Sequence, residues 1–208
     1  MVPKILWQCG KWLEKDIPNY VQEYRQTWKD KNPTWEIKYF DNNQCFKLIK
    51  KILGNEAANI FNTIPRGDNK ADFWRVITLN AYGGFYADLD TKCYEPIESW
   101  ANLNKDFIVT KNTYSDIGTI WENWCFGATK DNIILTEIIT KINKEINNSN
   151  EQINANHTFF PFTKTVNKYV NNSWVQAICP SYAFKVGHIA AHDNWDNSEY
   201  FANGGPKI

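Results

Sequence analysis

The stretch Tyr82-Gly83-Gly84-Phe85-Tyr86-Ala87-Asp88-Leu89-Asp90 constrains this chain more than any other part of it. Gly83-Gly84 can take positive φ and let a helix stop abruptly. Phe85-Tyr86-Ala87 is apolar and aromatic, which suits a core strand. Asp88 and Asp90 follow with one residue between them. In an extended chain alternate residues share a face, so both carboxylates can meet one cation while Leu89 anchors the other side. Hard oxygen ligands at that spacing suit Mg²⁺ or Mn²⁺, above all where a ligand's phosphates complete the shell. A bare Asp-x-Asp is more often a solvated turn. Here the triplet ends an apolar strand, and strand ends are where α/β folds hold their ligands.

The residues just before this stretch read as a helix from Asn69 to Tyr82. Ala71, Phe73, Trp74, Val76, Ile77, Leu79 and Ala81 make it apolar on most faces, so it is expected to be buried. Asp72 and Arg75 sit three residues apart and share a face. They are either an ion pair at the rim of that helix or part of the same site as the two carboxylates.

Around this centre the chain alternates. Lys4 to Gln8 reads as a strand, Pro18 to Trp28 as a helix with Pro18 near its first position, and Trp35 to Phe40 as a second strand. Asp41-Asn42 can cap a helix running to about Leu53. Strand, helix, strand, helix favours a parallel sheet with crossover helices. Gly54 to Ile64 reads as a short helix ended by Pro65. Arg66-Gly67-Asp68 reads as a turn, and its likeness to an adhesion triplet is discounted as chance. Thr91 to Glu95 reads as a return strand, and 107–110 and 121–128 as two more. A helix is expected over 131–147, a polar Asn-rich loop over 147–156, a short helix over 161–170 and a strand over 174–178. No internal repeat is present.

Composition narrows the class. Lys plus Arg and Asp plus Glu balance at 23 each, which argues against a strongly basic nucleic-acid surface. The 10 Trp, 10 Tyr and 12 Phe can fill a small α/β core, with a few left to line a pocket for flat ligands. The five cysteines (Cys9, Cys45, Cys93, Cys125 and Cys179) are widely spaced and odd in number, so reduced thiols in a cytoplasmic setting are expected. No apolar run approaches about 18 residues, so no membrane span is expected. The N-terminus also lacks the long apolar region of a signal peptide. With 208 residues, one domain is the default. Asn203 to Ile208 reads like a linker, which leaves room for this to be one domain of a longer polypeptide.

The combination Ala71-Asp72, Arg75 and Tyr82 to Asp90 resembles the sugar transferases with a DXD sugar-binding region. These include yeast-type initiating mannosyltransferases and bacterial capsular-polysaccharide transferases. More distantly it is similar to the catalytic domains of clostridial glucosylating toxins. Val2 to Gln8 looks like the family's opening strand, with Trp7 where many members carry His. Asn123 to Ala128 looks like its later Asn-containing strand. Phe160 to Thr163 resembles a Gly-Pro segment without the Gly. His192 to Ser198 resembles the closing His…Ser-Trp segment, with Glu199 where Trp is usual.

The resemblance implies one GT-A-type domain over 1–208, with a Rossmann-like, mostly parallel sheet flanked by helices. It implies a nucleotide-sugar donor (UDP-sugar favoured, GDP-sugar possible), a glycan or protein-linked acceptor, Mn²⁺ or Mg²⁺, and transfer with retention. Asp88 would contact the donor and help hold the metal, and Asp90 would ligate it directly. Asp72 and Arg75 would bind sugar hydroxyls and diphosphate, and Asn123 would sit near sugar or acceptor. Trp7, Gln8 and Tyr86 would join the donor site, though Trp7 can equally be core. His192 would be a third metal or diphosphate contact, with His188 and Ser198 as its alternatives. Two other readings are a metal-dependent phosphohydrolase using Asp88 and Asp90, and a lectin-like domain that binds sugar without turnover.

Overall fold

The apolar run Ile5-Leu6-Trp7 becomes an inner strand of the main sheet. In the computed structural model, which describes residues 1–114, 118–148, 153–178 and 186–188, it lies in β1 (Ile5–Gly10). Then come α1 (Asn19–Lys31), β2 (Glu36–Asp41), α2 (Asn42–Leu53), α3 (Asn55–Thr63), α4 (Gly67–Tyr82) and β3 (Gly84–Ala87). Asp41 ends β2 and caps α2. Its Oδ1 accepts from Gln44 N–H at 2.8 Å, and Gln44 Oε1 accepts from Asp41 N–H at 3.0 Å, a reciprocal capping box. The chain continues through β4 (Thr91–Cys93), β5 (Phe107–Tyr114), β6 (Gly118–Ala128), α5 (Ile133–Asn148), α6 (Ala155–Tyr169), β7 (Val175–Ile178) and β8 (Val186–His188).

Six strands form the main sheet in the order β2-β1-β3-β6-β5-β7. β1 pairs parallel with β2 and β3, and β5 pairs parallel with β7. β6 runs against both its neighbours, β3 and β5. The sheet is therefore mostly parallel, as expected, with one reversed strand in its centre. β4 leaves it and pairs with β8 in a separate two-stranded ladder.

Strand alternation sorts the aromatics to two faces. Leu6 and Phe85 point to one side, where they meet Trp28 of α1 with Trp35, Ile97 and Trp100. Trp7 and Tyr86 point to the other, against Trp74 and Ile77 of α4, Ile138 of α5 and Phe162 of α6. Four cysteines (Cys9, Cys45, Cys93 and Cys125) are free thiols, and Cys179 lies outside the described residues.

β5 and β6 are longer than expected, and two helix starts differ in ways that matter to the site. Arg66-Gly67-Asp68 is the start of α4, not a separate turn. Arg66 is the N-cap residue and Asp68 lies in the first turn, where its negative charge suits the helix dipole. α6 begins at Ala155, so Pro161 lies inside it rather than at its start. The docking of His157, Thr158 and Phe162 into the interior holds the helix on both sides of that proline.

Gly127 shows how tightly the sheet is packed. It pairs with Phe85 across β3 and β6, and a Cβ there would stand 2.3 Å from the Phe85 ring. That ring is fully buried and meets Trp35 and Trp100 edge-on, each at 5.7 Å. Gly127→Ala is expected to destabilise the protein by about 1–3 kcal/mol through overpacking. Urea denaturation measures this, and an unchanged midpoint would mean that the ring has room to slide.

Candidate active site

Gly83 and Gly84 take φ of 68° and 108°, so α4 stops and β3 starts within two residues. A Cβ on Gly84 would lie 2.5 Å from the Ile5 carbonyl oxygen, which leaves that position to glycine. Trp7 Nε1 donates to Gly83 O at 2.8 Å and ties the turn to β1.

Beyond β3 the chain does not stay extended. Asp88 N–H donates to Trp124 O at 2.9 Å, and Leu89 and Asp90 then form a turn closed by Thr91 N–H onto Asp88 O at 3.3 Å. The turn, and not strand alternation, delivers the two carboxylates. Leu89 is nonetheless the anchor between them. It packs with Ile17, Val21 and Tyr39, and a Cβ on Gly10 would meet its Cδ1 at 2.5 Å.

α4 brings Asp72 and Arg75 to the same place. Both are buried, at 8% and 3% exposure. Arg75 is the hub. Nη1 donates to Asn123 O at 2.7 Å and Asn123 Oδ1 at 3.2 Å. Nη2 lies 3.3 Å from Asp72 Oδ1 and 3.1 Å from Asp88 Oδ1. The guanidinium carbon stands 4.3 Å from the centre of the Tyr86 ring, a cation–π contact. Tyr86 O–H also donates to Asp88 Oδ1. Asn123 Nδ2 donates to Asp72 Oδ1 at 2.9 Å, and Thr158 Oγ1 donates to Asp72 Oδ2 at 3.0 Å.

Asn123 reaches this cluster because β6 bulges. Val109 pairs with Phe126 but the next residue, Thr110, pairs with Glu122, so 123–125 have no partner on β5. The bulge frees the Asn123 carbonyl for Arg75 and turns its amide onto Asp72.

Burial and neighbours set the charges. Burial pushes the Asp72 carboxyl up, Arg75 pulls it down, Asp88 pushes it up again and the Thr158 hydrogen bond pulls it down. The net direction is up. Burial alone would lower Arg75, but Asp88, Tyr86 and Asp72 outweigh it and hold the guanidinium charged. Burial, with the negative charge of Asp88, also keeps the Tyr86 phenol protonated and donating.

Residues 18–107 match the family described as glycosyltransferase sugar-binding region containing DXD motif. The match spans Asp72, Arg75, Asp88 and Asp90. The match covers less than half of the chain, whose fold is of the GT-A type. Among similar proteins is the initiation-specific alpha-1,6-mannosyltransferase of Candida albicans, 28% identical over 206 residues, covering 82% of this chain and 54% of that one. An uncharacterised glycosyltransferase of Acanthamoeba polyphaga mimivirus is 22% identical over 175 residues, covering 83% and 68%. The chain thus spans about half the length of the Candida protein. The fold is shared with the PaToxG glycosyltransferase, at TM-score 0.63 and 12% identity over 81% of this chain and 70% of that one. It is also shared with the ligand-free glycosyltransferase domain of the YGT toxin, at TM-score 0.53 and 10% identity over 85% and 79%.

Within the candidate site, Asp72, Arg75, Tyr86, Asp88 and Asn123 form one connected network, and Asp90 follows Asp88 on the same turn. Tyr86 is fully buried and touches the site through Asp88 and Arg75. Trp7 is core. It packs against Phe40 and Tyr82 and spends its N–H on Gly83, so it stands behind the site. Gln8 is buried one residue on, where its Oε1 accepts from Arg25 Nε at 3.4 Å and its Nε2 has no hydrogen-bond partner among the described residues. His188 lies on β8, while His192 and Ser198 are outside the described residues. Among the described residues, no three His, Cys, Asp or Glu side chains gather to hold a metal ion. Asp88 and Asp90 remain a pair of hard oxygen donors, partly exposed, and they fit a divalent cation that takes its other ligands from a diphosphate or water. An open groove of about 650 Å³, lined by Lys4, Glu98, Trp100, Asn102 and Gln176, lies beyond the N-terminal end of β1 and shares no residue with this network. No helix among the described residues is long and apolar enough to cross a membrane.

Thr158 is the member of the site that the sequence does not announce. It lies just past the loop expected over 147–156, with nothing local to mark it. Only the early start of α6 brings it to Asp72.

Proposed function

We propose that this chain transfers a hexosyl group from a nucleotide sugar to a hydroxyl of a glycan or protein-linked acceptor, with a divalent cation bound at Asp88 and Asp90. The observation that carries the reading is the buried network joining Asp72, Arg75 and Asn123 to the Asp-x-Asp turn at the C-terminal end of β3. That end of the strands is where an open α/β sheet binds ligands. Mannose is the first sugar to test, with GDP-mannose ahead of the UDP-sugars that the family resemblance favours. The support for mannose is the kinship with proteins named as mannosyltransferases.

Each residue then has a task. An ionised carboxylate offers about four lone-pair sites; Asn123 and Thr158 donate to Asp72 and Arg75 pairs with it. That leaves capacity on Asp72 to accept a sugar hydroxyl and orient the ring. Arg75 donates through Nη1 to Asn123 and forms ion pairs through Nη2 with Asp72 and Asp88, so its work is to hold both carboxylates in place. Bound between Asp88 and Asp90, Mn²⁺ or Mg²⁺ would neutralise charge on the departing diphosphate. The bond from the anomeric carbon to the phosphate oxygen breaks as the acceptor oxygen bonds to that carbon. The acceptor's proton passes to the leaving phosphate. Attack on the same face retains configuration, and a trapped glycosyl-enzyme would overturn this part of the reading.

The test is a panel of GDP-mannose, UDP-glucose, UDP-galactose and UDP-N-acetylglucosamine, each with Mn²⁺ and with EDTA, read by melting temperature and by nucleotide release. A donor at a hundredfold excess over its Kd stabilises by about 2.7 kcal/mol. Metal-dependent stabilisation with slow nucleoside diphosphate release is expected for one donor. Release of inorganic phosphate instead would favour the phosphohydrolase. Response to free sugar without nucleotide would favour the lectin.

A further inference from the structure

We propose that Thr158 is a positioning residue for glycosyl transfer, aiming Asp72 at the donor sugar through its hydroxyl. This rests on the proposed reading of Asp72 as a sugar-binding group.

The side chain is 1% exposed and sits in the first turn of α6. Its hydroxyl has one hydrogen to give and three oxygens in range. Asp72 Oδ2 is at 3.0 Å, Asn69 Oδ1 at 3.4 Å and Asn154 O at 3.5 Å. The shortest contact is also the one to a carboxylate, and a charged acceptor makes the stronger bond. The hydrogen therefore goes to Asp72.

That bond has a specific geometric effect. Asn123 and Arg75 both act on Oδ1 of Asp72. The carboxylate turns about its Cβ–Cγ bond, which swings both oxygens together. A donor on Oδ2 adds an anchor on the second oxygen and so holds the plane, and the direction of the remaining lone pairs, from both sides. Thr158 thereby links α6 to α4 across 86 positions of sequence, directly at the group that meets the sugar. The family match ends at residue 107, so this restraint lies outside the matched region.

The experiment compares wild type, Thr158→Val, Thr158→Ser, Asp72→Asn and the double variant Thr158→Val/Asp72→Asn. GDP-mannose hydrolysis with Mn²⁺ is the assay, or UDP-glucose hydrolysis if the panel shows turnover there. GDP affinity is measured separately by calorimetry. Valine keeps the shape and removes the hydroxyl. Thr158→Val is expected to lower kcat roughly 10- to 100-fold, the scale of a lost hydrogen bond to a charged group, while GDP affinity stays within about threefold. Thr158→Ser is expected to recover most of that loss. The double variant should be no slower than Asp72→Asn alone, because the threonine acts through Asp72. An unchanged kcat in Thr158→Val overturns the proposal, as does a serine variant as slow as the valine one. Equal losses in kcat and GDP affinity would show a packing role instead and overturn it too. A wild-type protein that neither binds nor cleaves any donor overturns the proposed function and this inference together. An active wild type with an unaffected valine variant overturns this inference alone.

Discussion

Replacing Arg75 with leucine is expected to cost about 3–5 kcal/mol of stability, the usual penalty for breaking a buried ion pair from one side. For a chain of 208 residues this lowers the melting temperature by roughly 6 to 20 °C. The reason is that four contacts vanish at once. Asp72 loses its counter-ion in a buried setting, Asp88 loses an ion pair, and both oxygens of Asn123 lose the Arg75 donor. Arg75→Lys cannot repair this, because a single ammonium cannot reach Asn123 and both carboxylates as the planar guanidinium fork does. The loss has a pH signature. Burial already raises the Asp72 carboxyl, and removing Arg75 takes away the strongest force lowering it. A carboxyl raised on folding contributes stability that is present below its unfolded pKa and lost as pH rises through its folded one. The gap between variant and wild type should therefore be wider at pH 8 than at pH 5. Urea denaturation at both values measures it. A loss below about 1 kcal/mol at pH 8 would mean that water reaches the site and screens it.

Asp90→Ala is expected to do the reverse, sparing the fold and removing the activity. Asp90 is partly exposed on a turn, so its loss should change stability by less than about 1 kcal/mol. Donor cleavage should fall on the order of 100-fold or more, since a bound cation and its electrostatic support of the leaving group depend on it. Stabilisation of the protein by Mn²⁺ with GDP should vanish in the same variant. Excess Mn²⁺ should restore part of the rate if Asp88 still offers one ligand. A variant that cleaves donor within about threefold of wild type would remove Asp90 from the metal site and with it the central reading of the Asp-x-Asp pair. Together, the two variants separate a residue that builds the site from one that works in it.

The local parts of this site are legible in the amino-acid order itself. The apolar helix ending in Gly83-Gly84 and the short strand Phe85-Tyr86-Ala87 are where periodicity and glycine chemistry put them. So are the Asp41 cap and the strand–helix alternation that makes the sheet mostly parallel. These features depend on neighbours within a few residues, and the chain states such neighbours directly.

Everything that required two distant segments to meet was decided by tertiary packing. The Asp-x-Asp pair lies on a turn because Asp88 N–H is claimed by Trp124 and Leu89 is drawn into the pocket of Ile17, Val21 and Tyr39. Asn123 reaches Arg75 only because β6 bulges where it runs antiparallel between β3 and β5, and no residue near 123 announces a bulge. Trp7 faces inward because α2 and α4 cover its side of the sheet, although its composition suits a ligand platform equally well. Thr158 joins Asp72 only once α6 starts at Ala155 and docks on α4. The sequence alone thus singled out Asp72, Arg75 and Asp88, which the structure joins in one network. Packing decided their partners, because a buried charge takes whatever donor the fold brings within about 3 Å, and that donor is set by the whole core rather than by its own neighbours in the chain.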